Sequence, residues 1–131
     1  MSVFVDTSAL YALLDRDDDA HGHAAAAFPE LLEHEHLVTH NYVVVEMVAL
    51  VQRRLELPAV RTLTQDLLPA LETVWVTPEV HAAASGSLLA GLRRRPSLVD
   101  WVSFELMRRL DIETAFAFDA DFAAQGFHTV P

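Results

Sequence analysis

Four carboxylates occupy positions from which they could act together. Asp6 closes the apolar run "SVFV" (2–5) and opens a helical pattern, and Asp119 follows "TAFAF" (114–118) in the same way. Asp100 falls in the first turn of "SLVDWVSFELMRRL" (97–110), and Glu46 interrupts the apolar stretch "VVVEMVAL" (43–50). An ionised carboxylate in an apolar segment is costly unless something pairs with it. The chain contains no lysine, and its nine basic residues are all arginine. Clustered acids without a cation raise one another's pKa, and a divalent ion relieves that repulsion. All-oxygen ligands in a chain without cysteine point to Mg²⁺ or Mn²⁺. Each acid also has a plain structural use. Asp6 and Asp119 suit helix caps or Asx turns, Asp100 stands three residues after Ser97 as in a capping box, and Glu46 could lie on a narrow exposed stripe with Tyr42 and Arg53.

The elements that must carry these acids alternate in type. Strands are expected at 2–5, 36–39, 73–76, 114–118 and 127–130. Helices are expected at 6–15, at 21–35 with Pro29 as an interruption, at 41–55 from a cap at His40 or Asn41, and at 57–71 through Pro58. Thr77, Pro78 and Glu79 open a further helix, "RRRPS" (93–97) breaks it, and Ser97 caps the next. The alternation predicts an α/β/α three-layer fold around a five-stranded parallel sheet, formed as one domain over 1–131. Ligand sites of such sheets lie at the carboxyl ends of the strands, where all four acids would meet.

Composition removes several functions. The net charge of −10 opposes nucleic-acid binding by general field and favours a basic partner or bound cations. Without lysine there is no Walker A loop, and an Asp6-nucleophile phosphatase loses its usual partner residue. The four glycines do not form a dinucleotide-binding fingerprint. No run is long enough to span a membrane, no secretory leader pattern is present, and the absence of cysteine suits a reducing cytoplasm. "HGH" (21–23) and "HEH" (34–36) place their histidines on diverging helical faces, which suits solvated side chains better than metal ligands. Arg16 and His21 match the R-x₄-H spacing of HEPN ribonucleases, but those are all-helical.

With "VFVDTSAL", "NYVVVEMVAL", "SLVDWVSFELMRRL" and "AFAFDADF" in this order, the chain resembles PIN-domain ribonucleases, and among them the VapC-type toxins of VapBC toxin–antitoxin pairs. The resemblance implies an acidic pocket binding Mg²⁺ or Mn²⁺, with the family's four acids falling on Asp6, Glu46, Asp100 and Asp119. It assigns the metal to Asp6, Asp100 and Asp119, with Glu46 orienting a water or a second ion. Thr7 and Ser8 match supporting hydroxyls, and Asp121 matches a position that is often acidic. The implied activity is hydrolysis of RNA by an activated water. Arg93, Arg94 and Arg95, the only basic cluster, are the candidate RNA contacts, although they would equally complement a helix C-terminus. The implied partners are RNA, a VapB-like antitoxin and a second copy of the chain, the homodimers joining into larger complexes with antitoxin. The alternatives are a PIN scaffold without catalysis and, more distantly, the phosphatase.

Overall fold

The structure, a computed structural model, describes residues 1–131. The sheet contains β1 (Ser2–Val5), β2 (His36–His40), β3 (Glu72–Val74), β4 (Thr114–Phe116) and β5 (His128–Val130). All pairings are parallel, in the order β3-β2-β1-β4-β5. The chain steps outward from β1 through β2 to β3, then crosses back to β4 on the other side of β1. The direction of winding therefore reverses between β1 and β4, the place where open sheets form ligand crevices.

The helices are α1 (Thr7–Leu14), α2 (His21–His34), α3 (Asn41–Arg54), α4 (Leu57–Thr62), α5 (Pro78–Gly91), α6 (Leu98–Arg109) and α7 (Asp121–Ala124). Helices α1 to α4 pack together as one group, and α5 packs on α6 as another. Right-handed crossovers place the two groups on opposite faces of the sheet, which makes the three layers. Beneath α6 and α7, Phe4 stacks on Phe122 at 6.1 Å, and Phe122 meets Phe104 edge-on at 5.0 Å. No helix is long and apolar enough to cross a membrane.

Local chemistry explains most element boundaries. The Asp6 side chain caps α1, Thr77 caps α5 with Pro78 at its first position, and Ser97 and Asp100 form a capping box on α6. His40, not Asn41, caps α3: its Nδ1 accepts the Val43 N–H at 3.3 Å, while Asn41 Oδ1 accepts the Val76 N–H at 2.7 Å. Three expectations are corrected. The helix expected at 57–71 is α-helical only to Thr62; a π turn (Leu63–Leu67) and a 3₁₀ turn (Leu68–Ala70) follow, because Pro69 has no N–H with which to continue the ladder. Pro29 does not interrupt α2, since it and Ala25 are exposed and the unpaired carbonyl can face water. Strand β4 ends at Phe116, two residues short of the expected end, so Asp119 lies in the loop before α7.

Candidate active site

The strand-to-helix turn after β1 is built around Asp6, which is 2% exposed. Its Oδ2 accepts the Ser8 N–H at 3.1 Å and the Ser8 hydroxyl at 2.7 Å. Ser8 Oγ in turn accepts the Phe118 N–H at 3.0 Å, tying the loop after β4 to the loop after β1. The other oxygen, Asp6 Oδ1, is buried and has no hydrogen-bond partner. Burial, with a smaller contribution from the charge of Asp100, pushes the Asp6 carboxyl up to about 7, against the pull of Ser8.

Asp6 shares a cleft of about 440 Å³ with Thr7, Ser8, Glu46, Asp100 and Asp119 among others. Asp100 Oδ2 accepts the Ser97 N–H and hydroxyl, each at 3.0 Å, and leaves Oδ1 without a protein hydrogen bond. Burial raises its pKa, and the charges of Asp119 and Asp121 add to that. Asp119 Oδ1 accepts the Asp121 N–H at 2.9 Å in an Asx turn. Asp121 Oδ2 is buried with no hydrogen bond, and burial followed by the Asp119 charge raises its pKa.

Glu46 is half-buried on the cleft side of α3. Val43, Met47 and Val51 form the buried stripe of that helix, and Val45, not Glu46, is its outward residue at 68% exposure. Desolvation raises the Glu46 pKa; the nearby Thr7 hydroxyl opposes this, and the Asp100 charge reinforces it. The Thr7 hydroxyl is itself buried and makes no well-formed hydrogen bond within the protein.

The structure thus brings Asp6, Glu46, Asp100 and Asp119 into one cleft, with Thr7 and Ser8 between them. Ligand oxygens of Asp100, Asp119 and Asp121 all lie within 4.8 Å of one another, so that Asp121 joins two of the expected ligands, while Asp6 lines the same cleft as Asp100 and Asp119. The short helix α7 makes the difference by turning Asp121 back toward Asp119. The cluster also has an internal cation, contrary to expectation. Arg95 Nη2 donates to Asp119 Oδ2 at 3.1 Å and stands 3.7 Å from Asp121 Oδ2. Arg93 and Arg94 are exposed, and neither forms an ion pair.

Tyr11, Asp18, Leu50 and Phe118 also line the cleft and were not singled out by sequence, and Ser97, expected only as a cap, lines it too. Asp18 stands inside "RDDDAH" (16–21), where the acidic run was a signal in plain view. The R-x₄-H pair does no joint work: His21 Nδ1 bonds the Ala12 carbonyl at 2.7 Å, and Arg16 is exposed. His40 is fully buried and contacts Ser103 Oγ through Nε2 at 2.8 Å. Burial lowers its pKa to about 4, so it is neutral and structural.

The donor set fits a hard divalent cation. The three carboxylates of the triad offer oxygen, the buried Asp6 Oδ1 and Asp121 Oδ2 lack hydrogen-bond partners, and the charge of the group exceeds what one arginine neutralises.

Comparison with known proteins agrees with this fold. A family model described as the PIN domain matches residues 3–127. The 23S rRNA-specific endonuclease VapC20 of Mycobacterium tuberculosis is 35% identical over 129 residues, covering 95% of each chain. The crystal structure of that protein, described as a Sarcin-Ricin loop cleaving toxin, superposes with a TM-score of 0.82 at 33% identity over 95% of each chain. VapBC2 of Rickettsia felis, bound to a DNA fragment from its promoter, shares the fold with a TM-score of 0.72 at 11% identity, over 98% of this chain and 97% of that one.

Proposed function

We propose, from the premise that the chain belongs to the PIN-domain family, that it is a VapC-type endoribonuclease toxin. Residues 1–131 act as one PIN domain that hydrolyses RNA with Mg²⁺ or Mn²⁺. The observation that carries this reading is the buried, unpartnered Asp6 Oδ1 in a cleft with Glu46, Asp100 and Asp119, beside the Asp100, Asp119 and Asp121 triad. No fold requirement explains an unpaired carboxylate oxygen in that position.

Asp100, Asp119 and Asp121 would hold the cation, and the free Asp6 oxygen would be available to it as a further ligand. The ion, when bound, supplies Lewis-acid polarisation and acidifies a water. The protein supplies the geometry. Ser8 locks Asp6 and the loop after β4 in one register. Glu46, half-buried with a raised pKa, accepts a hydrogen bond from the attacking water and aims its lone pair at phosphorus. The water oxygen forms the new bond, the bond to the 3′-oxygen breaks, and the products carry 5′-phosphate and 3′-hydroxyl ends. Arg93, Arg94 and Arg95 give the RNA backbone local positive charge in a chain of net charge −10.

The partners proposed with this reading are a VapB-like antitoxin and a second copy of the chain. The acidic surface favours a basic antitoxin segment. The relative's specificity makes ribosomal RNA the first substrate to try. The test is cleavage of ribosomal RNA with Mg²⁺ or Mn²⁺, with EDTA, and with the Asp100→Asn variant. Cleavage with metal alone supports the reading; undiminished cleavage in EDTA or by the variant overturns it.

A further inference from the structure

Arg95 is placed unlike its neighbours Arg93 and Arg94. Its guanidinium is bound to Asp119 and close to Asp121, two of the three carboxylates whose oxygens lie within 4.8 Å of one another. The side chains differ sharply in freedom: Asp119 is 17% exposed and Asp121 29%, whereas Arg95 is 72% exposed. The acids are therefore the more enclosed partners, and the guanidinium reaches them from the solvent side, with no other hydrogen bond to hold it. Exposed pairs of this kind are weak and exchange readily. A divalent ion on the same carboxylates would repel a guanidinium at that distance.

The arginine also has another place to lie. It borders both the acid cleft and an adjoining groove of about 310 Å³, lined by Leu88, Gly91, Arg93, Trp101 and Gln125. A guanidinium turned into that groove would join Arg93, giving two cations beside the catalytic acids. Two arginines fit phosphate oxygens, and the phosphate chemistry here is the RNA backbone.

We propose that Arg95 is an exchangeable stand-in for the catalytic cation: it neutralises Asp119 and Asp121 in the metal-free protein, leaves when the ion enters, and then binds an RNA phosphate with Arg93. This rests on the metal-dependent nuclease reading above. It makes metal and RNA binding mutually supportive, because entry of the ion frees the arginine that the phosphate needs.

The experiment is a calorimetric titration of Mn²⁺ into the full chain without RNA, using wild type, Arg95→Met and Arg94→Met. Arg94→Met removes the same charge from the same segment but no contact with the acids, so it reports the general field alone. Arg95→Met should bind Mn²⁺ roughly two- to fivefold more tightly than wild type, the upper part of the range expected for losing a competing exposed pair, and Arg94→Met should stay within about 1.5-fold. A single-stranded oligodeoxynucleotide, used as a backbone probe, should tighten Mn²⁺ binding to wild type and not to Arg95→Met. Near-ultraviolet circular dichroism checks that the variants keep their fold. Unchanged or weaker Mn²⁺ binding by Arg95→Met, or equal tightening by both variants, overturns the stand-in while leaving the nuclease reading intact. Wild type that binds no Mn²⁺, or binds it equally well with Asp100→Asn, removes both.

Discussion

Asp6→Asn tests whether the cleft is built at a cost to the fold. Asp6 is buried, and its carboxyl stands at about 7 instead of 3.8. The folded protein therefore holds a proton there that the unfolded chain has released, and stability falls as pH rises from near 4 to near 7. At about 1.4 kcal/mol per tenfold change in proton affinity, that gap amounts to roughly 4 kcal/mol, fully expressed above pH 7. Asparagine removes the charge and keeps an acceptor for Ser8, but it places an amide donor where Oδ1 has no partner, which costs about 1–3 kcal/mol. The net expectation, without metal at pH 8, is a gain of about 1–3 kcal/mol for the variant, shrinking to nothing near pH 5. His40 provides an internal check with the opposite sign. Its folded pKa, about 4, lies below the ordinary 6.5, so its contribution is complete above pH 6.5 and is lost as pH falls through 4, by about 3 kcal/mol. In the wild type these two slopes largely offset each other; in Asp6→Asn the acid limb of His40 is opposed only by the raised carboxyls of Glu46, Asp100 and Asp121. Urea unfolding in EDTA from pH 4.5 to 8 measures both. A variant less stable than wild type at pH 8, or one whose stability does not fall toward acid, would refute the reasoning.

Asp100→Asn should abolish metal-dependent cleavage with the melting temperature close to wild type in EDTA, since a lost charge in a crowded cleft offsets a weakened cap of about 1 kcal/mol; a large destabilisation would mark Asp100 as mainly structural. Mg²⁺ or Mn²⁺ at about a hundred times its dissociation constant should stabilise the protein by about 2.7 kcal/mol, read as a melting shift of roughly ten degrees that EDTA reverses. Glu46→Gln should lower kcat about a hundredfold or more and leave Mn²⁺ affinity within a few-fold of wild type, as titration and single-turnover cleavage would show; loss of Mn²⁺ binding would make Glu46 a ligand instead.

The sheet and most helices were legible in the sequence because their determinants are local. Asp6, Ser97, Thr77 and Pro78 stand where caps and first turns require them. The convergence of the acids was legible because parallel strands carry whatever follows them to one edge. What the sequence hid depends on the path of short loops. Asp121 enters the triad only because α7 turns immediately after Asp119, and Arg95 reaches the acids only because the segment after α5 folds back over the cleft. Nothing in "RRR" distinguishes its third arginine from the first two. His40 was similarly hidden: its burial comes from contacts with Phe4 and Ser103, the latter 63 residues away.

The structural and the catalytic readings of these acids turn out not to compete, because a carboxylate has two oxygens. Asp6 and Asp100 each give Oδ2 to a helix cap, and Asp119 gives Oδ1 to an Asx turn. These hydrogen bonds fix the side-chain rotamers and leave Oδ1 of Asp6 and of Asp100 without a protein partner, while Asp119 Oδ2 is held only by Arg95. Positioning thus comes from the same bonds that start α1 and α6, so it adds no separate ordering cost. The same economy has a consequence for substitution. Replacing an acid by alanine removes a cap and a ligand together and would confuse the two roles, whereas asparagine keeps the acceptor at the cap and changes the charge at the cleft. Only the isosteric variants separate what these residues do for the fold from what they do for the reaction.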